Sequence, residues 1–194
     1  VQTWFRLLKT NIRQIGESRV QETIKKVNEF PHINKFDLHL IGRLQTNKIK
    51  KAVALFDSID SVGSYSLAQK ISKHCREKGK TQRILIQVNT SEETTKNGFL
   101  LSEKEEVLRC FSLKHIQIDG LMTVGPLTED QNRQKKAFQN LKSFFSMVNE
   151  AVAPEKQVKE LSMGMSEDFP LAIKEGSTMI RIGTNIFGPR KRNA

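Results

Sequence analysis

Short apolar runs and helical patterns alternate along the whole chain. The stretches 13–18 (RQIGES), 37–42 (DLHLIG), 56–62 (FDSIDSV), 82–89 (QRILIQVN), 116–124 (IQIDGLMTV), 158–164 (VKELSMG) and 179–188 (MIRIGTNIFG) read as strands. Between them lie amphipathic segments. Val20, Ile24 and Val27 recur at helical spacing, and further helices are expected near 44–55, 64–79, 102–113, 129–152 and 166–176. Ser102 and Glu105 form the pattern of a capping box, and the 166–176 segment opens on a cap, Ser166, with a proline in its first turn. Gly79 and Gly176 are helix stops.

Strict alternation of strand and helix argues a parallel sheet in an α/β fold. Two architectures compete, an open doubly wound sheet and a (β/α)8 TIM barrel. Seven strands fall one short of a barrel. The segment 1–11, with Trp4, Leu7 and Leu8 at helical spacing, reads as a helix with no strand before it. The expectation is a single barrel domain over residues 1–194 whose first strand is missing from this chain, leaving two open edges.

Pleating sorts the strand residues into two faces. In the last strand Ile180 and Ile182 point outward, and Met179, Arg181 and Gly183 inward. In 158–164, Glu160, Ser162 and Gly164 are expected inward, opposite Leu161 and Met163. His39 opposes Leu38 and Leu40, while Gln87 and Asn89 oppose Ile86 and Val88. The set His39, Gln87, Asn89, Ser162 and Arg181 therefore gathers in the lumen. Carboxyl ends of barrel strands carry function. The alternative is a satisfied buried network in which Glu160 neutralises Arg181. Gly164 and Gly183-Thr184, after the two last strands, fit a backbone phosphate cradle beside an arginine.

Composition narrows the class. The chain has 194 residues, 37% of them hydrophobic, and no run approaching the ~20 apolar residues of a membrane helix. The two cysteines, Cys75 and Cys110, form no CxxC pair and read as reduced cytosolic thiols. A net charge of +11 suits anionic ligands, but the basic residues are spread over several segments, the 189–194 tail among them, with acids interspersed as in 102–107. No nucleic-acid motif accompanies them, and the aromatics are mostly phenylalanine of core type.

Five segments in order, 16–22 (GESRVQE), 39–48 (HLIGRLQTNK), 86–99 (IQVNTSEETTKNGF), 120–124 (GLMTV) and 161–188, resemble the pyridoxal 5′-phosphate (PLP) homeostasis proteins. The resemblance implies a barrel of the alanine racemase N-terminal type and a non-catalytic, cytoplasmic PLP-binding protein of vitamin B6 balance. It implies PLP-dependent apoenzymes as partners and a monomeric chain. By resemblance, Ser162, Gly183 and Thr184 hold the phosphate, with Ser166 as a further candidate. Arg181 meets the pyridine nitrogen, and Ser18 and His39 lie near the ring. Ser18 stands where the family usually has asparagine. Lys96 matches a lysine near the barrel mouth. The lysine that holds PLP covalently in the family sits in a motif like AVSK on the first strand; counting back from Ile15 places it before Val1. A racemase-like enzyme and a basic nucleic-acid-binding module are the other readings. The racemase needs a tyrosine base, and Tyr65 is the sole tyrosine, at a helix start.

Overall fold

The computed structural model describes residues 2–91, 93 and 95–188. The basic cluster at 189–194 lies outside them. The strands are β1 (Gln14–Glu17), β2 (Asp37–Leu40), β3 (Ser58–Val62), β4 (Gln82–Asn89), β5 (Phe99–Leu100), β6 (Ile116–Met122), β7 (Glu160–Met165) and β8 (Met179–Arg181). The helices are α1 (Gln2–Leu7), α2 (Val20–Asn28), α3 (Ile49–Leu55), α4 (Tyr65–Glu77), α5 (Lys104–Cys110), α6 (Gln131–Ala151), α7 (Phe169–Lys174) and α8 (Thr184–Phe187).

Every strand pairing is parallel, in the order β1-β2-β3-β4-β6-β7-β8, with the two-residue β5 beside β4. Seven strands thus curl into a nearly closed parallel barrel, the second of the two architectures that the alternation allows. Outward residues such as Leu38, Ile59, Ile84, Ile86 and Leu121 share one apolar cluster with Ile71, Cys75, Val107, Phe138 and Phe144 of the surrounding helices. Leu85 and Met122 are equally buried but stand outside that cluster, on the lumen side. The faces expected for β2 and β4 are borne out.

Three irregularities break the expected pleat. In β3, Ile59 faces Ile84 while Val62 faces Ile86, so one residue is extra between them. In β6, Ile84 faces Ile118 while Leu85 faces Gly120, so Asp119 is an extra residue. Asp119 Oδ2 accepts from Arg83 Nε at 2.8 Å, and this bond with the nearby Asp37 carboxylate raises the Arg83 guanidinium above its ordinary range. In β7, Ser162 faces Met179 while Met165 faces Arg181, so three steps of one strand oppose two of the other. Gly164 absorbs the difference at φ +93°. A Cβ there would lie 2.5 Å from the Ala172 Cβ, so Gly164 is turned toward α7 and not into the lumen as expected.

Three local expectations need correction. The capping box at Ser102 does not form: α5 starts at Lys104, and the Glu103 carboxylate accepts instead from the Leu100 N–H at 2.7 Å. The cap position of α7 is Asp168, not Ser166, with Pro170 in the first turn as expected. The last strand ends at Arg181, and residues 184–187 form the single turn α8. Gly79 and Gly176 do adopt positive φ after α4 and α7.

Candidate functional site

The carboxyl ends of the strands bring together residues scattered over the chain. Arg181 ends β8 half-buried and turned inward. Its Nη1 donates to Ser162 Oγ at 2.6 Å and its Nη2 to the Thr123 carbonyl at 2.7 Å. Burial pulls the guanidinium down to about 10, opposed by the charges of Asp60 and Asp168. It stays cationic at neutral pH. Glu160 is not its partner: that carboxylate accepts from Thr178 Oγ1 at 2.8 Å. Among the described residues no carboxylate forms an ion pair with Arg181. A half-buried cation held by a neutral hydroxyl and a carbonyl keeps donors for something else.

Beside it, the loops after β7 and β8 are laced together. The Gly183 N–H donates to Ser166 Oγ at 3.0 Å, and Asn185 Nδ2 donates to the Ser166 carbonyl at 3.2 Å. Ser162 is fully buried, whereas Gly183 and Thr184 are exposed. Gly183 opens α8, whose first N–H groups have no partner within the helix. A Cβ on Gly183 would meet nothing within 4 Å. No neighbour in the structure requires glycine there.

The opposite wall carries His39, Ser58 and Asp60. His39 Nδ1 lies 2.8 Å from Asp60 Oδ2, and Ser58 Oγ donates to Asp60 Oδ1 at 2.5 Å. His39 Nε2 is buried with no hydrogen-bond partner. Ser18 follows β1, where Gly42 allows close contact: a Cβ on Gly42 would sit 2.2 Å from the Ser18 carbonyl oxygen. Ser61 Oγ donates to the Gly42 carbonyl at 2.7 Å, tying the ends of β1, β2 and β3 together.

Lys96 is no solvated lysine. Its Nζ donates to the Gly125 carbonyl at 2.8 Å and pairs with Glu93 Oε1 at 3.0 Å, clamping the loop after β4 to the loop after β6. Gln87 and Asn89 likewise donate to loop carbonyls, of Asn97 and Glu93. Thr90 and Thr123 join hydroxyls at 3.0 Å, and Thr90 also borders a basic cleft of about 520 Å³ with Arg133 and Lys136. Tyr65 lies outside the lumen, with the Arg109 guanidinium 4.2 Å above its ring.

Sequence reasoning passed over Asp60 and Thr123. Alternation within FDSIDSV would have found Asp60, opposite the outward Ile59. Thr123 contributes a backbone carbonyl, for which no residue type is diagnostic.

A parallel barrel with these groups at its mouth defines the class of barrel that forms the first domain of alanine racemase. Residues 1–191 match the family described as alanine racemase, N-terminal domain, and the chain belongs to it. Within that class it belongs with the pyridoxal phosphate homeostasis proteins. It is 37% identical over 180 residues to the one from Synechocystis sp., covering 92% of this chain and 82% of that protein. To the one from Mus musculus it is 35% identical over 191 residues, covering 92% and 69%. The solved structure of PipY from Synechococcus elongatus with PLP bound superposes with a TM-score of 0.88 at 35% identity, covering 96% of this chain and 87% of that one. The PipY structure without PLP gives 0.90 at 36%, with the same coverage. Alanine racemase from Clostridium difficile, at 17% identity and a TM-score of 0.82 over 100% of this chain and 49% of its own, shares the fold. Among the described residues no helix is long and apolar enough to cross a membrane, and no group of three or more histidine, cysteine or acidic side chains could hold a metal ion.

Proposed function

We propose that this chain binds PLP at the barrel mouth and holds it without turning over a substrate, as part of intracellular vitamin B6 balance. The observation that carries this reading is Arg181, a half-buried cation bonded, among the described residues, to Ser162 and the Thr123 carbonyl alone. The residues fit the ligand. Gly183 faces open space that a side chain would fill, and Arg181 keeps donors for an acceptor.

In this reading Ser162, Gly183 and Thr184 take the phosphate. Ser166 orients the Gly183 backbone through the bond it already accepts. Arg181 donates to the pyridine nitrogen, while His39 and Ser18 border the ring. When bound, PLP supplies a reactive aldehyde and an electron-withdrawing ring. An arginine has no acceptor and keeps its own proton, so it favours the unprotonated ring nitrogen and weakens that withdrawal. This suits holding better than turnover. Tyr65, stacked under Arg109 between α4 and α5, cannot serve as a lumen base, which counts against a racemase. The chain acts as a cytoplasmic monomer, and PLP-dependent apoenzymes receive the ligand.

Calorimetric titration with PLP and with pyridoxal tests the reading. PLP is expected to bind the tighter of the two. Arg181→Ala should weaken PLP at least about tenfold, the scale of a hydrogen bond to a charged group. Equal affinities for PLP and pyridoxal, or an unchanged affinity in the variant, would sink it.

A further inference from the structure

Arg181 ends β8, yet one of the two groups that fix its head belongs to neither β8 nor the adjacent β7. In the sheet order β6-β7-β8, the guanidinium reaches past β7 to the Thr123 carbonyl, just beyond β6. It is tied at both Nη atoms, to Ser162 Oγ at 2.6 Å and to this carbonyl at 2.7 Å. Two acceptors on a rigid planar fork set its plane, and so set where its remaining N–H groups point.

Thr123 lies past the regular strand. The ladder between β4 and β6 ends at Gln87 and Met122, and Thr123 is the next residue. Its own groups continue the connection on both sides. The Thr123 N–H donates to the Ser162 carbonyl at 3.1 Å, and Thr123 Oγ1 donates to the Val88 carbonyl at 2.8 Å. A hydroxyl has one hydrogen, so in the 3.0 Å contact between Thr90 Oγ1 and Thr123 Oγ1 it is Thr90 that donates. Thr123 and Ser162 are fully buried and Thr90 is 3% exposed, which shields these bonds from competing water. Further on, Lys96 Nζ holds the Gly125 carbonyl at 2.8 Å. The peptide that carries the Thr123 carbonyl is thus anchored before and after. Any residue could supply that carbonyl, but the tie to Val88 needs a side-chain hydroxyl.

We infer that the Thr123 side chain is a positioning group for Arg181: its hydroxyl, tied to Val88 and Thr90, holds the carbonyl that aims the guanidinium at the pyridine nitrogen. The inference rests on the ring contact proposed above. The hydroxyl has no hydrogen left for a ligand, so it acts through Arg181. Its loss costs the nitrogen contact and spares the phosphate contacts assigned to Gly183 and Thr184. A hydroxyl that serves stability alone predicts an equal loss for every ligand.

The probes are 4-deoxypyridoxine 5′-phosphate, which lacks an aldehyde and so forms no covalent link with lysines, and its counterpart with a C–H in place of the ring nitrogen. Dissociation constants are measured by calorimetry for the wild type, Thr123→Val and Thr123→Ser, with a thermal melt on each protein. The wild type is expected to prefer the nitrogen compound about tenfold, the scale of a hydrogen bond to a charged group. Valine keeps the shape of threonine without the hydroxyl. It should cut that preference to under about threefold and change the C–H compound by less than about twofold, since the loss is confined to one hydrogen bond. Serine keeps the hydroxyl and should restore the preference. Should the valine variant fail to fold, Thr90→Val removes the second tie to the same hydroxyl and should narrow the preference in the same direction; an unchanged preference there overturns the inference. A folded Thr123→Val that keeps the full preference, or that weakens both compounds alike, overturns it while the site itself stands. A wild type that binds the two compounds equally, or binds neither, overturns the ring contact of Arg181 and this inference with it.

Discussion

Arg181 and Gly183, two residues apart, are held in place for different reasons. Arg181 is fixed by Ser162 and the Thr123 carbonyl, and its removal frees both of those acceptors. Gly183 is held through its backbone, by Ser166 Oγ and by the first turn of α8, but nothing there demands a glycine: its φ is −116° and its missing Cβ faces open space. The contrast separates stability from binding. Gly183→Val should change unfolding stability by no more than about 0.5 kcal/mol, as for an uncrowded surface site. The same change puts two methyl groups where the phosphate is proposed to sit, and should reduce PLP affinity at least tenfold, an estimate in line with the cost of a steric clash. Urea unfolding and a PLP titration of the one variant check both halves. A destabilised protein with normal affinity would make Gly183 a structural glycine. His39 and Asp60 show the reverse case. They are buried and mutually bonded, and His39 follows from the alternation of β2, whereas Asp60 sits at the extra residue of β3, next to the outward Ile59.

At the scale of elements, strand alternation was legible wherever a strand was regular and failed where one residue was extra. The faces of β2 and β4 follow from their two-residue period. Gly164 does not, because β7 gains a residue on β8 between Ser162 and Met165. No pattern of apolar residues announces that gain; only the glycine hints at it, through the φ of +93° that it alone adopts cheaply. Similarly, 179–188 reads as one strand because its apolar content is continuous, yet hydrogen bonding stops at Arg181 and α8 leaves Ile186 and Phe187 exposed. The Ser102 capping pattern does not form because α5 starts one residue later than it needs, at Lys104 with Glu103 in the cap position. The bulge has a consequence for stability. Gly164→Ala must adopt positive φ and press a methyl against Ala172, and should cost about 2–4 kcal/mol as strain plus overpacking. Chemical denaturation measures this directly. A loss under about 1 kcal/mol would mean that α7 can retreat from β7 at little cost.

The described residues form one apolar layer between sheet and helices, around a lumen with many polar groups, and the two cysteines report on that outer layer. The seven-strand parallel order was readable from alternation of strands and helices; the choice of barrel over open sheet was carried by the resemblance and the helix at 1–11. What the sequence could not convey is how tightly the helices seal. Cys75 on α4 and Cys110 at the end of α5 both lie fully buried in the shared cluster with Ile71, Val107 and Phe144. Burial raises both thiols, opposed at Cys75 by Lys80, and pushes Cys110 up to about 12, with Glu106 adding to the effect. A thiol reacts as its thiolate, so at pH 8 the folded protein offers Cys110 in a form about four orders of magnitude short of full ionisation. Alkylation should then proceed only through opening of the α4 and α5 layer. Iodoacetamide at pH 8 is expected to leave both cysteines unmodified in the native protein and to label both in urea. Labelling should follow the unfolding curve, and it should be insensitive to added PLP unless the ligand stabilises the fold as a whole. Native labelling of Cys110 at the rate of a free thiol would show that the layer opens independently of the barrel.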